Sequence, residues 1–198
     1  VRAVGLKAGA WADQVHGDVV ARAEQPGCVG EADALWTSVP GLGVVGRSAD
    51  CPLILVAGTD RKGRGLWGMA HASWRSTAAG ITSLLLREMI RAGMEPASAQ
   101  GIICPSAGPC CYQVGPEVRD EVLRRLGPVA KAYLSGPVDH PRFDLWLANG
   151  AQWEAAGLPG KRLRRTGLCT LCGDGTYPSH RREQGQAGRF GAASGGLA

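Results

Sequence analysis

The stretch Ala49-Asp50-Cys51-Pro52-Leu53-Ile54-Leu55-Val56, followed by Gly68-Met69-Ala70-His71-Ala72-Ser73-Trp74-Arg75-Ser76, decides how this chain is read. It places an acid, a thiol, an imidazole, an indole and a guanidinium around two apolar runs. Apolar runs of about four to eight residues bounded by turn formers predict buried strands. Polar groups at the ends of such runs are positioned by the sheet rather than by a free loop. The chemistry is therefore expected at the rim of a sheet.

Upstream, Asp13-Gln14-Val15-His16-Gly17-Asp18-Val19-Val20 reads as a β-branched run after a polar turn, with His16 at a strand start. A second strand signal runs from Ala32-Asp33-Ala34-Leu35 through Gly41 to Gly46. Asp60 to Gly65 is a polar, glycine-punctuated hairpin connection. Downstream the period changes: Ile81, Leu84, Leu85, Met89 and Ile90 recur at helical spacing, so a helix is expected over Thr77 to Ala92 with Thr77 as its cap. Gln100 to Cys104 is a short strand. A helix from Pro116 to Leu126 and a third one capped by Asp144 and ended before Gly157 complete the list. The short spacings favour antiparallel or mixed pairing. The last eight residues are expected to fray.

With 198 residues and 44% hydrophobic content the chain can bury one sizeable core. The net charge of +5 is mild, and no Lys/Arg run exceeds two residues. A balance this mild is usually a solvated face; it lends weak support to a phosphate-bearing ligand and weaker support to nucleic acid, for which no helix-turn-helix, zinc-finger or RNA-recognition pattern is present. No run of apolar residues is long enough to span a bilayer, and Val1-Arg2-Ala3-Val4-Gly5 does not read as a secretory leader. Seven cysteines, an odd number with Cys110 and Cys111 adjacent, make a poor disulfide scaffold and point to a reduced cytoplasm.

Only four histidines occur. His16, Cys51 and His71 all adjoin strand signals and together offer two imidazoles and a thiol, a set that leaves one tetrahedral position open on zinc. Separations of 35 and 20 residues form no compact motif, so unrelated core or surface residues remain an equal reading. Asp50 can orient a ligand or move a proton, or it can cap a turn. Cys51 alone can be read as a thiolate nucleophile with a histidine base. Cys169-Thr170-Leu171-Cys172 is half of a zinc ribbon or a redox pair without a second such pair, and is read as structural. His140 reads as a loop residue. The six tryptophans read mostly as core, with Trp74 a candidate pocket wall.

Seven motifs stand in a telling order: Gln14-Val15-His16-Gly17; Ala49-Asp50-Cys51-Pro52; Ala70-His71-Ala72-Ser73-Trp74-Arg75; Gly108-Pro109 with Tyr112-Gln113-Val114-Gly115-Pro116-Glu117-Val118; Asp144-Leu145 with Asn149; Cys169-Thr170; and Ser179-His180-Arg181-Arg182 with Gly188-Arg189. Over nearly its whole length the chain thus resembles the YfiH-like family, labelled a polyphenol oxidase or laccase domain, whose members are purine nucleoside phosphorylases with adenosine deaminase activity. The resemblance implies an α+β fold of layered mixed, largely antiparallel β-sheets flanked by helices. It implies that His16, Cys51 and His71 are the metal-binding and catalytic triplet, with zinc as the ion and copper as the alternative.

Several departures accompany it. Ser73 and Ser76 flank Trp74-Arg75 where the family has glycines, Cys110-Cys111 follow Gly108-Pro109 where it has an apolar residue and Gly, and His180 replaces an aromatic. The family also carries a segment with an Arg-Gly-Gly turn before the first histidine motif, whereas fifteen residues precede His16 here. The expectation is one domain over residues 1–198 lacking that segment.

The residues agree with a nucleoside site. Phosphorolysis needs phosphate held against C1′ beside an oxocarbenium-like transition state, and guanidinium groups hold phosphate bidentately. Arg75 leads, followed by Arg181 and Arg182. A metal ion at His16, Cys51 and His71 can activate water for attack on C6 of adenosine. The implied partners are a purine nucleoside and phosphate, with a homodimer as candidate assembly and neither membrane nor nucleic acid. Two rivals stand beside this reading: a copper-dependent polyphenol oxidase, and a non-catalytic purine-binding module. Four histidines are too few for a blue-copper site plus a histidine-ligated copper cluster, which weighs against the first.

Overall fold

Leu53, Ile54, Leu55 and Val56 point alternately into two different cores, which is why the run carries no polar residue. Leu53 and Leu55 pack with Ala10, Leu42, Val44 and Met69 between two sheets, whereas Ile54 and Val56 pack with Ile81, Leu85, Met89 and Trp153 beneath helices. The computed structural model describes residues 6–196; Val1 to Gly5, read above for a leader, and Leu197-Ala198 lie outside them.

The strands are β1 (Ala8–Asp13), β2 (Val20–Arg22), β3 (Gly27–Glu31), β4 (Ala34–Thr37), β5 (Leu42–Ser48), β6 (Leu53–Thr59), β7 (Gly65–His71), β8 (Gln100–Ile103), β9 (Leu134–Ser135), β10 (Arg142–Phe143), β11 (Leu163–Arg165) and β12 (Phe190–Ser194). The helices are α1 (Trp74–Ala78), α2 (Ile81–Arg91), α3 (Pro116–Leu126) and α4 (Leu145–Ala155). A six-stranded sheet runs β11-β8-β6-β7-β4-β2 and a four-stranded one β12-β5-β1-β3; β9 and β10 form a separate ribbon. Pairing is antiparallel at the centre of the large sheet (β8-β6-β7-β4) and parallel at its margins and around β1. The result is the expected α+β layering of mixed sheets and helices.

The expected helix over Thr77 to Ala92 is two helices. Gly80 adopts φ +86, a left-handed conformation with open space around its Cα, and breaks the chain between α1 and α2. Thr77 lies inside α1 and donates to Ala72 O at 3.2 Å, while Ser73 caps α1 by accepting from Ser76 N at 3.1 Å. The apolar period continued across Gly80 because both helices pack on the same core. Pro116–Leu126 and the Asp144-capped helix stand as read, the Asp144 carboxylate accepting from Leu147 N at 2.8 Å.

Of the last eight residues, expected to fray, Gly191 to Ser194 are in a strand, and Leu197 and Ala198 lie outside the described residues. β12 pairs with β5, and Ser194 Oγ donates to Val56 O at 2.6 Å. Of the six tryptophans only Trp36 and Trp153 are fully buried, and Trp11 is exposed. His16 does not start a strand but lies in the connection between β1 and β2 at φ +62. No helix among the described residues is long and apolar enough to cross a membrane.

Candidate active site

The rim of the large sheet gathers His16, Cys51 and His71, whose ligand atoms lie within 4.8 Å of one another. His71 is the last residue of β7 and pairs with Leu53, the first residue of β6; Cys51 stands two residues before that pair. His16 arrives from the four-stranded sheet. Gln14 fixes its approach, donating through Nε2 to Arg47 O and accepting from Arg47 N through Oε1, both at 2.9 Å.

The residue that assembles this cluster is Asp33, between β3 and β4, which the sequence reading passed over. Its buried carboxylate accepts from the backbone N–H groups of Val15 (3.2 Å), His16 (3.1 Å) and Gly17 (2.6 Å), and it contacts His71 Nδ1 at 2.8 Å. Its own carbonyl accepts from His71 N at 2.7 Å. A carboxylate can only accept, so His71 carries its proton on Nδ1 and turns the Nε2 lone pair toward the cluster. Burial works against the Asp33 anion, but these hydrogen bonds, led by that from His71, win and hold its pKa below the usual carboxylate value. The only sequence signal was a lone acid between alanines at the head of an apolar strand.

The two imidazole rings stand edge to face, 5.1 Å between centroids at 69°. His71 is buried and His16 exposed, so the cluster is closed on the protein side and open on the other. Burial first, then His71 and the cations Arg75 and Arg189, lower the His16 pKa against the pull of Asp33, and the ring is neutral at pH 7. Burial, then Asp50 and Asp33, push the Cys51 thiol up to about 12. An isolated Cys51 is therefore a thiol at neutral pH, which disfavours a free thiolate nucleophile. Two imidazoles and one sulfur around an open side suit a metal ion with a remaining exchangeable position.

Asp50 adopts φ +85 and is buried. It accepts from Thr170 Oγ1 at 2.6 Å and from Arg181 N at 2.9 Å. Of its alternative roles, this geometry favours holding a turn. Arg75 is exposed at the start of α1, stacked over the Trp74 ring at 4.4 Å. Arg181 stacks on Tyr112 at 4.4 Å and donates to Gln113 O. Trp74, Arg75 and Arg181 line one cavity of about 770 Å³ with Gln113 and His140, and Trp74 and Arg75 also line a 270 Å³ recess that reaches His16. Arg182 faces elsewhere: its guanidinium donates to Thr170 O, Tyr177 O and Glu183. Tyr112 and Arg189, both close enough to act on the cluster's charges, join the surroundings without having been singled out.

Comparison with known proteins places this geometry. Residues 1–195 match the pattern of the family described as multi-copper polyphenol oxidoreductase laccase. Purine nucleoside phosphorylase YlmD of Geobacillus stearothermophilus is 34% identical over 161 residues, 80% of this chain and 57% of that protein. The chain thus spans little more than half the length of that relative. Adenosine deaminase RL5, from an unknown prokaryotic organism, is 29% identical over 84% of this chain and 63% of that protein. The crystal structure of the Bacillus licheniformis hypothetical protein YfiH superimposes with a TM-score of 0.87 at 30% identity, covering all of this chain and 78% of that one. With a match over essentially its whole length and these relatives, the chain belongs to the multi-copper polyphenol oxidoreductase laccase family, the YfiH-like fold.

Proposed function

We propose that this chain carries the active site of a purine nucleoside phosphorylase that also deaminates adenosine. The observation that carries the reading is the clustering of His16 with Cys51 and His71, together with the recess that His16 shares with Arg75. The names of the relatives supply the activities.

In this reading zinc is held by His16, Cys51 and His71, with copper as the alternative ion. A bound ion there supplies Lewis acidity toward water or a substrate oxygen. The chain's own groups do the rest. Trp74 offers an aromatic wall to the purine, in a cavity of a size that suits a nucleoside. Arg75 and Arg181 hold phosphate against C1′, where a phosphate oxygen forms the new bond as the C1′–N9 bond breaks and its electron pair leaves with the base. His16, at the open side, holds the ion next to the recess that Arg75 lines. In deamination a water oxygen adds at C6 and ammonia departs, leaving inosine. Asp33 is a positioning residue that acts through His71. Seven unpaired cysteines among the described residues suit a reduced cytoplasm.

The test is product analysis of metal-characterised protein with adenosine and inosine, with and without phosphate, beside His71→Ala. Free base and ribose 1-phosphate that require both phosphate and His71 are expected, together with inosine from adenosine. Intact nucleoside in every reaction would overturn the reading.

A further inference from the structure

A second cluster lies apart from the histidines. Cys110 and Cys111, in the turn after Gly108-Pro109, meet Cys169 and Cys172, and all four sulfur atoms lie within 4.8 Å of one another. The sequence reading saw Cys169-Thr170-Leu171-Cys172 as half of a site without a partner. The fold supplies the other half as an adjacent pair.

We propose that Cys110, Cys111, Cys169 and Cys172 form a tetrathiolate site for a structural zinc ion, independent of the His16, Cys51 and His71 centre.

Three observations carry this. First, the spacing fits: four sulfurs at about 2.3 Å from a tetrahedral zinc stand about 3.8 Å from each other. Cys110 Sγ and Cys172 Sγ are 3.6 Å apart, far beyond a disulfide bond, and all four thiols are free. Second, the backbone is shaped around the sulfurs. Gly108 N donates to Cys169 Sγ at 3.3 Å, and the N–H groups of Leu171 and Cys172 are aimed at the same atom. Such donors stabilise a thiolate, and a turn that directs them at its first cysteine is a knuckle built for a ligand. Third, two glycines make the approach possible. A Cβ on Gly173 would stand 2.6 Å from Cys169 O, and one on Gly108 would stand 3.2 Å from the Cys169 Cβ. Arg182, donating to Thr170 O inside the turn, adds a positive charge beside what becomes a net anionic complex. A cavity of about 730 Å³ against Cys110, Cys169 and Cys172 gives the ion its entry.

The ligand type selects the ion. Four thiolates in tetrahedral reach hold zinc and leave no exchangeable position, so this ion does no chemistry on substrate. Its work is to pin the turn bearing Cys110 and Cys111, which continues into Tyr112 and Gln113, to the turn bearing Thr170, which anchors Asp50. It thus crosslinks the loop that reaches the nucleoside cavity through Gln113 to the turn that anchors Asp50.

The test is metal content and cobalt spectroscopy on protein purified anaerobically under reductant. The parent should hold about two zinc equivalents per chain, and His71→Ala and Cys172→Ser should each lose about one. Cobalt in His71→Ala should show the intense thiolate charge-transfer and d–d bands of a four-sulfur tetrahedral centre, a readout that needs no activity. Should Cys172→Ser fail to fold, the His71→Ala spectrum decides alone. Metal-free His71→Ala with all thiols titratable would overturn the proposal, as would iron–sulfur absorption or a mapped Cys110–Cys172 disulfide in the reduced preparation.

Discussion

Replacing Asp33 by Asn tests whether one buried carboxylate assembles the metal cluster. In the parent, one carboxylate oxygen takes His16 N and His71 Nδ1, and the other takes Val15 N and Gly17 N. Asn keeps the shape but puts an NH2 in place of one oxygen, so two of four hydrogen bonds are lost and donor faces donor in a buried site. Hydrogen bonds to a charged group contribute about 1.5–3 kcal/mol each, giving a loss of roughly 3–6 kcal/mol. For a chain of this length that is a fall in melting temperature of roughly 6–24 °C. The amide can also impose the other tautomer on His71, moving its proton to Nε2. Metal affinity should then fall by about 10–100-fold. The pH dependence has a definite sign. Asp33 has a folded-state pKa below its unfolded value, so its stabilisation is complete above about pH 4 and is lost as pH falls through the folded pKa. Melting curves of parent and variant should accordingly differ most at neutral pH and converge on acidification, followed by calorimetry and by chelator competition for the metal. A variant melting within about 2 °C of the parent, with metal affinity within about twofold, would refute the reasoning.

Three further outcomes follow from the same geometry. Arg75→Lys keeps the charge but loses the planar fork, so KM for phosphate should rise about tenfold while KM for nucleoside changes little, as measured by initial rates at varied phosphate. Asn149 accepts from Thr82 Oγ1 at 2.7 Å and donates to Thr77 Oγ1 at 3.0 Å and Leu145 O at 2.8 Å, tying α1, α2 and α4 together; Asn149→Leu leaves buried groups unpaired and should cost about 2–4 kcal/mol in denaturant unfolding. With the Cys51 thiol raised to about 12, metal entry must release its proton at neutral pH, so affinity for the ion lost in His71→Ala should strengthen about tenfold per unit of rising pH between about 7 and 9; a flat profile would show that Cys51 is not a thiolate ligand.

How much of this was legible in the chain depends on how local each signal is. Leu53 to Val56 announced a strand because both of its faces are buried, and Pro116 and Asp144 marked helix starts by their own chemistry. Gly80 was not legible as a break, since the residues beyond it resume the same core-facing period. His16, Cys51 and His71 were brought together by resemblance; nothing in their spacing encodes that the Leu53–His71 pairing of β6 and β7 brings the turn bearing Cys51 to His71 while a separate sheet delivers His16. Asp33 went unseen because an acid at a strand head is ordinarily a solvated turn residue, and only the three N–H groups closing over it make it otherwise. Arg182 looked equivalent to its neighbour Arg181. Only the fold shows that the Arg182 guanidinium donates to the Thr170 carbonyl while Arg181 stacks on Tyr112. The second pair of cysteines escaped for a similar reason, being adjacent rather than spaced as a repeat of the first.

The hydrogen bonds of Asp50 span very different distances along the chain from those of Asp33. Asp33 gathers partners 16 to 38 positions away, whereas Asp50 waits for Thr170 and Arg181, 120 and 131 positions later. Closing a longer loop costs more entropy before any contact rewards it, so the Asp50 contacts are expected to form after those of Asp33. The histidine-bearing half is complete once β1 to β7 have paired. The turn bearing Arg181 is expected to lock last, on a rim that already carries Arg75. Slowed or interrupted refolding should therefore populate a species that binds metal but holds phosphate more weakly for want of Arg181, with Asp50 as the latch whose closing separates the two.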